Sequence, residues 1–433
     1  MCGNRTAGDL LPINRFTGFG AEFGGKLMKD IKKLAFAFLF ALGLLLETAL
    51  PAAADDMPEG RPEAPVLPTI TASPPSSMPY LNAAAALVME AGSGRVLYSK
   101  NATVKRSIAS TTKIMTAIVA LENGGLEDAV TVSRKAAGVG GSVIGLREGQ
   151  QFTLNELLHG MLICSGNDAA VAIAEHIGGD VQNFAAMMNR KARELGAEDS
   201  VFVTPHGLDT PGQFSTAYDL AVITRYALKN PVFAGIVSTS STYIPGQQLY
   251  NTNELLGVYP GADGVKTGYT GKAGRCLVTS AARDGVRLIS VVLGSPTRYR
   301  RAEASRALLD YGFNNYTLYR LVNEGSRVWS LPVRKGVGGF VTVKAQNTVE
   351  IPLRQDEFEQ LETHIFLPQS LEAPVYAGTE EGYIEYRVNG EVVGLTALTA
   401  WENVRRKGFF DYFGDVFGAW FRMMHEGMFA DPG

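Results

Sequence analysis

Residues 106–124 read RSIASTTKIMTAIVALENG. Ile114, Ile118 and Leu121 recur at helical spacing, so a helix is expected from about Ser110. Serine and threonine suit its first turn, because a side-chain oxygen accepts from the free N–H groups there. The same letters also carry a chemical reading. Ser110 and Lys113 stand at i and i+3 on one helical face, so the amine can approach the hydroxyl. A serine hydroxyl is a poor nucleophile near neutral pH and needs a base within hydrogen-bond reach. Lysine serves when burial or a neighbouring cation lowers its pKa. Alone, the pair decides nothing.

Two stretches further along bear on it. Residues 153–179, TLNELLHGMLICSGNDAAVAIAEHIGG, read as a helix interrupted at Ser165-Gly166-Asn167 and resumed to a double-glycine stop. A loop there can project into a cleft, with Ser165 to relay a proton and the Asn167 amide to bond a substrate carbonyl. Residues 264–278, GVKTGYTGKAGRCLV, place Lys266-Thr267-Gly268 on a strand. Gly268 lets a substrate backbone lie against the strand edge, and Lys266 and Thr267 offer a cation and a hydroxyl to a carboxylate.

The surroundings give the architecture. Upstream, two apolar runs flank Gly92-Ser93-Gly94, a hairpin pattern. Downstream come a helix in TAYDLAVITRYALKN and a hairpin about Asp284-Gly285. A helix in RAEASRALLDYGF closes the unit near residue 315. Strands at both ends of a helical middle predict an α/β domain over 80–315, helices packed on a mostly antiparallel sheet. Residues 316–398 hold short alternating runs and an Asn389-Gly390 turn, predicting a small all-β domain.

The ends are distinctive. Across 401–430 a helix would set Phe409, Phe413, Val416, Phe417, Trp420 and Met424 on one face, with Asp411, Asp415, Arg422 and Glu426 opposite. Arg405, Arg406 and Lys407 precede it, as suits a helix lying in a membrane interface. The alternative is a helix docked on the protein's own surface or on a dimer partner. Residues 28–54 have the layout of a secretory signal peptide: Lys29, Lys32 and Lys33, an apolar run from Leu34, then Ala52-Ala53-Ala54. An uncleaved anchor is the other reading. Residues 1–27 fit neither a signal nor a fold, which points to translation from Met28. The proline-rich stretch 55–79 reads as an extended linker.

Composition excludes several classes. A chain of 433 residues suggests two or more domains, and 46% hydrophobic content supplies a core. A net charge of −3 and a pI near 6.0 argue against general nucleic-acid binding. The five histidines form no metal-binding pair, and no P-loop, dinucleotide fingerprint or G-x-S-x-G elbow occurs. Of three cysteines, Cys2 lies ahead of the signal-like segment; Cys164 and Cys276 could pair or remain free thiols.

The ordered set S-x-x-K, S-x-N and K-T-G is the signature of serine β-lactamases and penicillin-binding proteins. With ASTTKIMTA, CSGNDAAVAIAEHIGG, TPHGLD and GVKTGYTGKAGRCLV, the chain from about residue 80 onward resembles the low-molecular-mass penicillin-binding proteins. Within them it is most similar to D-alanyl-D-alanine carboxypeptidases with a C-terminal anchoring helix. The resemblance implies a multidomain protein: an α/β β-lactamase-like domain, a small all-β domain and a C-terminal amphipathic helix. It implies that Ser110 attacks the penultimate D-alanine carbonyl of a peptidoglycan stem peptide, with Lys113 as base near Ser165 and Lys266. Asn167 would bond the substrate's amide chain. The N–H groups of Ser110 and of Tyr269, next to Gly268, would form the oxyanion hole. Thr267 and Arg301 would grip the terminal carboxylate. No metal or cofactor is implied. The implied partners are stem peptides, β-lactams and the outer face of the cytoplasmic membrane, reached by export.

The sequence departs from relatives at Cys164 and at Tyr269, where others carry histidine. A class A β-lactamase would need an E-x-x-L-N glutamate, and none lies between the second and third motifs. A D,D-endopeptidase or transpeptidase shares the acylation machinery, and a β-lactam sensor without turnover would keep the acylating site.

Overall fold

The computed structural model of the chain describes residues 80–428. The readings of 1–27, 28–54 and 55–79 fall outside the described residues. The chain begins with a hairpin, β1 (Ala85–Glu90) and β2 (Val96–Lys100). Helices α1 (Lys113–Asn123), α2 (Leu154–Ile163), α3 (Asn167–Gly178), α4 (Val181–Glu194), α5 (Ala217–Ala227) and α6 (Pro231–Ser238) follow. A short hairpin, β3 (Ser241–Ile244) and β4 (Gln247–Tyr250), leads to β5 (Ala262–Thr270), β6 (Gly274–Arg283), β7 (Val286–Ser295) and α7 (Arg298–Asn315).

The long strands form one antiparallel sheet in the order β2-β1-β7-β6-β5. The first hairpin therefore pairs with the last strand, closing the sheet with both ends of the domain. β1 is buried along its whole length, so its alternate residues must satisfy two different layers. Leu87 and Met89 join Val291 and Leu293 against the helical layer. Ala86 and Val88 join Leu277 and Val292 against Leu308 and Leu309 of α7. Each large side chain so buried contributes roughly 1.5–3 kcal/mol.

At the centre of the helical layer runs α1, buried from Lys113 to Ala120. An all-round apolar helix is stable only when neighbours cover every side, and α2, α3, α4 and α5 do so here. Its beginning differs from the expectation. Ala109–Thr112 form a 3₁₀ turn, Ala109 sits at φ +48°, and the α-helix starts only at Lys113. No side-chain cap bond is made at the start of this turn or of α1. The Ser110 hydroxyl is thus not consumed in ending a helix.

The second region has its own core, built from Leu331, Val333, Val341, Val343, Ile351, Leu353, Ile384 and Leu398. Its strands are β8 (Thr317–Val322), β9 (Arg327–Arg334), β10 (Phe340–Ala345), β11 (Val349–Leu353), β12 (Glu362–Phe366), β13 (Leu371–Glu372), β14 (Glu380–Val388) and β15 (Glu391–Ala400). Six make one sheet, ordered β12-β14-β15-β10-β9-β13, while β8 pairs with β11. One helical turn, Gln355–Glu359, interrupts the strands. It supplies Glu357, whose carboxylate accepts from Arg95 of the β1–β2 turn at 2.8 and 3.0 Å. Arg95 also donates to the Pro352 carbonyl, and the Tyr316 hydroxyl donates to the Leu97 carbonyl at 3.1 Å.

The last helix, α8 (Phe409–Met428), leaves Phe409, Phe410, Phe413, Val416, Phe417 and Phe421 exposed. Its root is fixed: Val337 N donates to Arg405 O at 3.0 Å and Lys407 N to Lys335 O at 2.8 Å. Arg405 grips Asp411 at 2.6 and 2.7 Å, and Lys407 reaches Asp415 at 2.6 Å. Among the described residues no helix is long and apolar enough to cross a membrane.

Candidate active site

Lys113 has no solvent exposure, and oxygens stand within hydrogen-bond distance of its Nζ. They include Ser110 Oγ at 2.7 Å, Asn167 Oδ1 at 2.6 Å and the His206 carbonyl at 2.9 Å. The amide and the carbonyl can only accept, whereas the hydroxyl can accept or donate. A neutral amine has two N–H donors and one lone pair. In that neutral form, with Asn167 and His206 on the two donors, the lone pair can face Ser110. The geometry can therefore draw a proton from Ser110.

Each partner is positioned by backbone. Asn167 opens α3, with its N–H donating to Ser142 O at 2.7 Å and its Nδ2 to Gly140 O at 2.8 Å. The second bond turns Oδ1 towards Lys113. The next residue, Asp168, is buried and accepts from Ile144 N at 3.0 Å and Leu146 N at 3.0 Å, tying the 140–146 loop to this turn. Ser165 turns the chain between α2 and α3 at φ +65° and is 6% exposed. His206 lies in the Thr-Pro-His-Gly loop, where Gly207 is at φ +93°. A Cβ at Gly207 would stand 2.0 Å from Ala109 O, so only glycine lets this loop touch the nucleophile turn. Burial, aided by the Lys113 charge, pulls the His206 imidazole down from 6.5 to about 3.

β5 forms the opposite wall as an edge strand of the sheet. A Cβ on Gly268 would lie 3.0 Å from Ser110 N, so strand and 3₁₀ turn are in contact there. Lys266 and Thr267 are buried, with Lys266 Nζ donating to Thr267 O at 3.0 Å. The Thr267 hydroxyl lies 2.6 Å from that of Thr252. Lys266 is also felt at the S-x-N turn: burial raises the Cys164 thiol pKa, and the ammonium partly offsets this. The Tyr269 ring lies under the Arg275 guanidinium, 3.6 Å from centroid to Cζ. Cys164 and Cys276 are not joined in a disulfide. Among the described residues no group of three His, Cys, Asp or Glu side chains could hold a metal ion.

The structure thus gathers Ser110, Lys113 and Asn167 by direct bonds and lays Gly268 of β5 against them. Arg301 lies on α7. It is fully buried, with Nε and Nη2 donating to the two Glu254 oxygens at 2.8 and 2.9 Å and Nη1 to Cys276 O at 3.4 Å. Its pairing with Glu254 places the guanidinium beside the 251–254 segment, and its expected grip on a carboxylate remains a proposal. The sequence reading also missed His206, Gly140 and Ser142, which act through carbonyls and so leave no side-chain signature. Gly207 alone left a visible letter.

Comparison with known proteins follows the same lines. Residues 70–297 match the family model described as D-alanyl-D-alanine carboxypeptidase, and 316–406 match Penicillin-binding protein 5, C-terminal domain. The chain is 36% identical to D-alanyl-D-alanine carboxypeptidase DacF of Bacillus subtilis, over 78% of this chain and 90% of that one. It is 33% identical to DacC of Escherichia coli, over 79% and 91%. The crystal structure of penicillin-binding protein 5 from Haemophilus influenzae superposes with a TM-score of 0.70 at 31% identity, covering 76% of this chain and 99% of that one.

Proposed function

The chain belongs to the D-alanyl-D-alanine carboxypeptidase family of penicillin-binding proteins, and from that membership we propose how its site divides the work. The protein is a serine D-alanyl-D-alanine carboxypeptidase that acts on peptidoglycan, binds β-lactams and works outside the cytoplasm. In the proposed cycle Lys113 takes the Ser110 proton and Oγ bonds to the penultimate D-alanine carbonyl carbon. The N–H groups of Ser110 and Tyr269 receive the oxyanion, a contribution of about 3 kcal/mol for such a donor. Collapse breaks the C–N bond, and the proton passes from Lys113, with Ser165, to the leaving amine. Water then attacks the acyl-enzyme, again losing its proton to Lys113, and Ser110 is restored. Asn167 bonds the substrate amide, while Lys266, Thr267 and Gly268 hold its C-terminal end.

One observation carries this reading: Lys113 Nζ lies 2.7 Å from Ser110 Oγ while bonding two acceptor-only oxygens, Asn167 Oδ1 and the His206 carbonyl. The test is release of D-alanine from a peptide ending in D-Ala-D-Ala. The wild type is expected to release it, and Ser110→Ala none. Lys113→Ala should fall at least a hundredfold, the usual effect of losing a general base. Stable penicillin labelling without release would instead identify a sensor. Release only with an acceptor amine present, or only from cross-linked peptides, would identify a transpeptidase or an endopeptidase.

The finer placement is also our proposal. Residues 28–54 are read as the export signal, 55–79 as the linker, 80–315 as the catalytic domain, 316–398 as its β-rich companion and 401–430 as a peripheral membrane anchor. The exposed aromatic side of α8 supports the anchor, since such faces bury favourably at the headgroup boundary.

A further inference from the structure

Thr267 has a neighbour that the catalytic cycle above does not use. Thr252 is buried, its Oγ1 lies 2.6 Å from Thr267 Oγ1, and its N–H donates to Ile163 O at 3.2 Å. Ile163 ends α2, two residues before Ser165, so Thr252 sits between the S-x-N turn and the K-T-G strand. The segment around it is rigidly held. Asn251 Nδ2 donates to Thr239 O at 3.0 Å, and Asn253 Nδ2 donates to Gly264 O at 2.7 Å. Glu254 engages Arg301 with both oxygens.

A threonine hydroxyl has a single hydrogen to donate. If Thr267 spends it on Thr252, nothing remains for an incoming carboxylate. If Thr252 donates instead, the Thr267 hydrogen is directed away from Thr252, and the chain O–H···O–H···⁻O₂C polarises in one direction. A carboxylate only accepts, so it selects the second arrangement.

We propose that Thr252 is a positioning residue that aims the Thr267 hydroxyl at the substrate's terminal carboxylate, making carboxylate recognition depend on a two-hydroxyl relay. The proposal rests on the reading of Thr267 as a carboxylate contact. Its effect falls on substrates that carry the carboxylate and spares ligands that lack it.

The experiment compares wild type, Thr252→Val and Thr252→Ser in the full chain. One ligand is an acylated dipeptide ending in D-Ala-D-Ala; the other is an N-acyl boronic acid analogue of D-alanine, which can bond Ser110 but has no terminal carboxylate. Thr252→Val should raise KM for the peptide roughly tenfold, the scale of one lost charge-assisted hydrogen bond. Its boronate inhibition constant should stay within about twofold of wild type, because nucleophile and oxyanion hole are intact. Thr252→Ser should restore the peptide KM to within about threefold, the hydroxyl being retained. A parallel loss on peptide and boronate would make Thr252 a structural residue and overturn the proposal. Unchanged peptide kinetics in Thr252→Val, or no rescue by serine, would do so too. If the wild type itself releases no D-alanine, both readings fall; normal release with an indifferent Thr252 removes this one alone.

Discussion

At the scale of single residues, the site works by restricting what each group can do. Lys113 Nζ bonds the acceptor-only oxygens of Asn167 and His206 and lies 2.7 Å from Ser110 Oγ, an arrangement present before substrate arrives. The grouping of Ser110, Lys113 and Asn167 was legible in the sequence because these residues meet through their side chains. The carbonyls of His206, Gly140 and Ser142 were not, since any residue has one. Arg301 pairs with Glu254, 47 positions away, a contact that nothing local in the sequence reveals. His206 yields a pH prediction. It binds a proton near 6.5 in the unfolded chain but only near 3 when folded, owing first to burial and then to the Lys113 charge. Between those values the unfolded state holds the extra proton, so folding stability must fall as pH drops. Denaturant melts between pH 7 and 4 should show this decline, with a shallower slope in His206→Asn; equal slopes would contradict the account.

At the scale of elements, strand and helix signals carried the domain while the joints between elements stayed hidden. The hairpins at Gly92–Gly94, Asp284-Gly285 and Asn389-Gly390 follow from local turn chemistry and are present as β1–β2, β6–β7 and β14–β15. The start of α1 did not follow. Its 3₁₀ turn and the positive φ of Ala109 lie where Gly207 and Gly268 approach it closely from two distant segments. Propensity in the window 106–124 favours an ordinary helix start, and tertiary contact overrides it. Gly207→Ala should expose the dependence. The added methyl would meet Ala109 O at 2.0 Å from a backbone at φ +93°, so a loss of about 2–4 kcal/mol is expected. A thermal melt and fluorescent-penicillin labelling, read together, should both fall. Wild-type values for both would show that the two loops do not depend on each other.

At the scale of the whole molecule, the two cores are tied by groups that water does not easily reach. Arg95 and Glu357 are 18% and 10% exposed, well inside the range where a bidentate pair resists screening. This bond between a hairpin turn and a helical turn 262 residues away was beyond reach of the sequence, whereas the amphipathic pattern of α8 was plain in it. The anchor reading sets the boundary of a clean truncation. Val404 is buried and pairs with Val375, so cutting at 401 would damage the β-rich core. Removing 409–433 spares that core and should shift the protein from the membrane to the soluble fraction, with D-alanine release from soluble peptide within about twofold of wild type. Retention on the membrane would favour the uncleaved N-terminal anchor.

The claim on which all three scales converge is that Ser110, and no other residue, becomes acylated. Incubation with benzylpenicillin, proteolysis and mass spectrometry should give a single penicilloyl adduct on the peptide containing Ser110. Ser110→Ala should give none, and Lys113→Ala should form it at least a hundredfold more slowly. An adduct on Ser107, Ser165 or any other side chain, or one that persists in Ser110→Ala, would contradict the account.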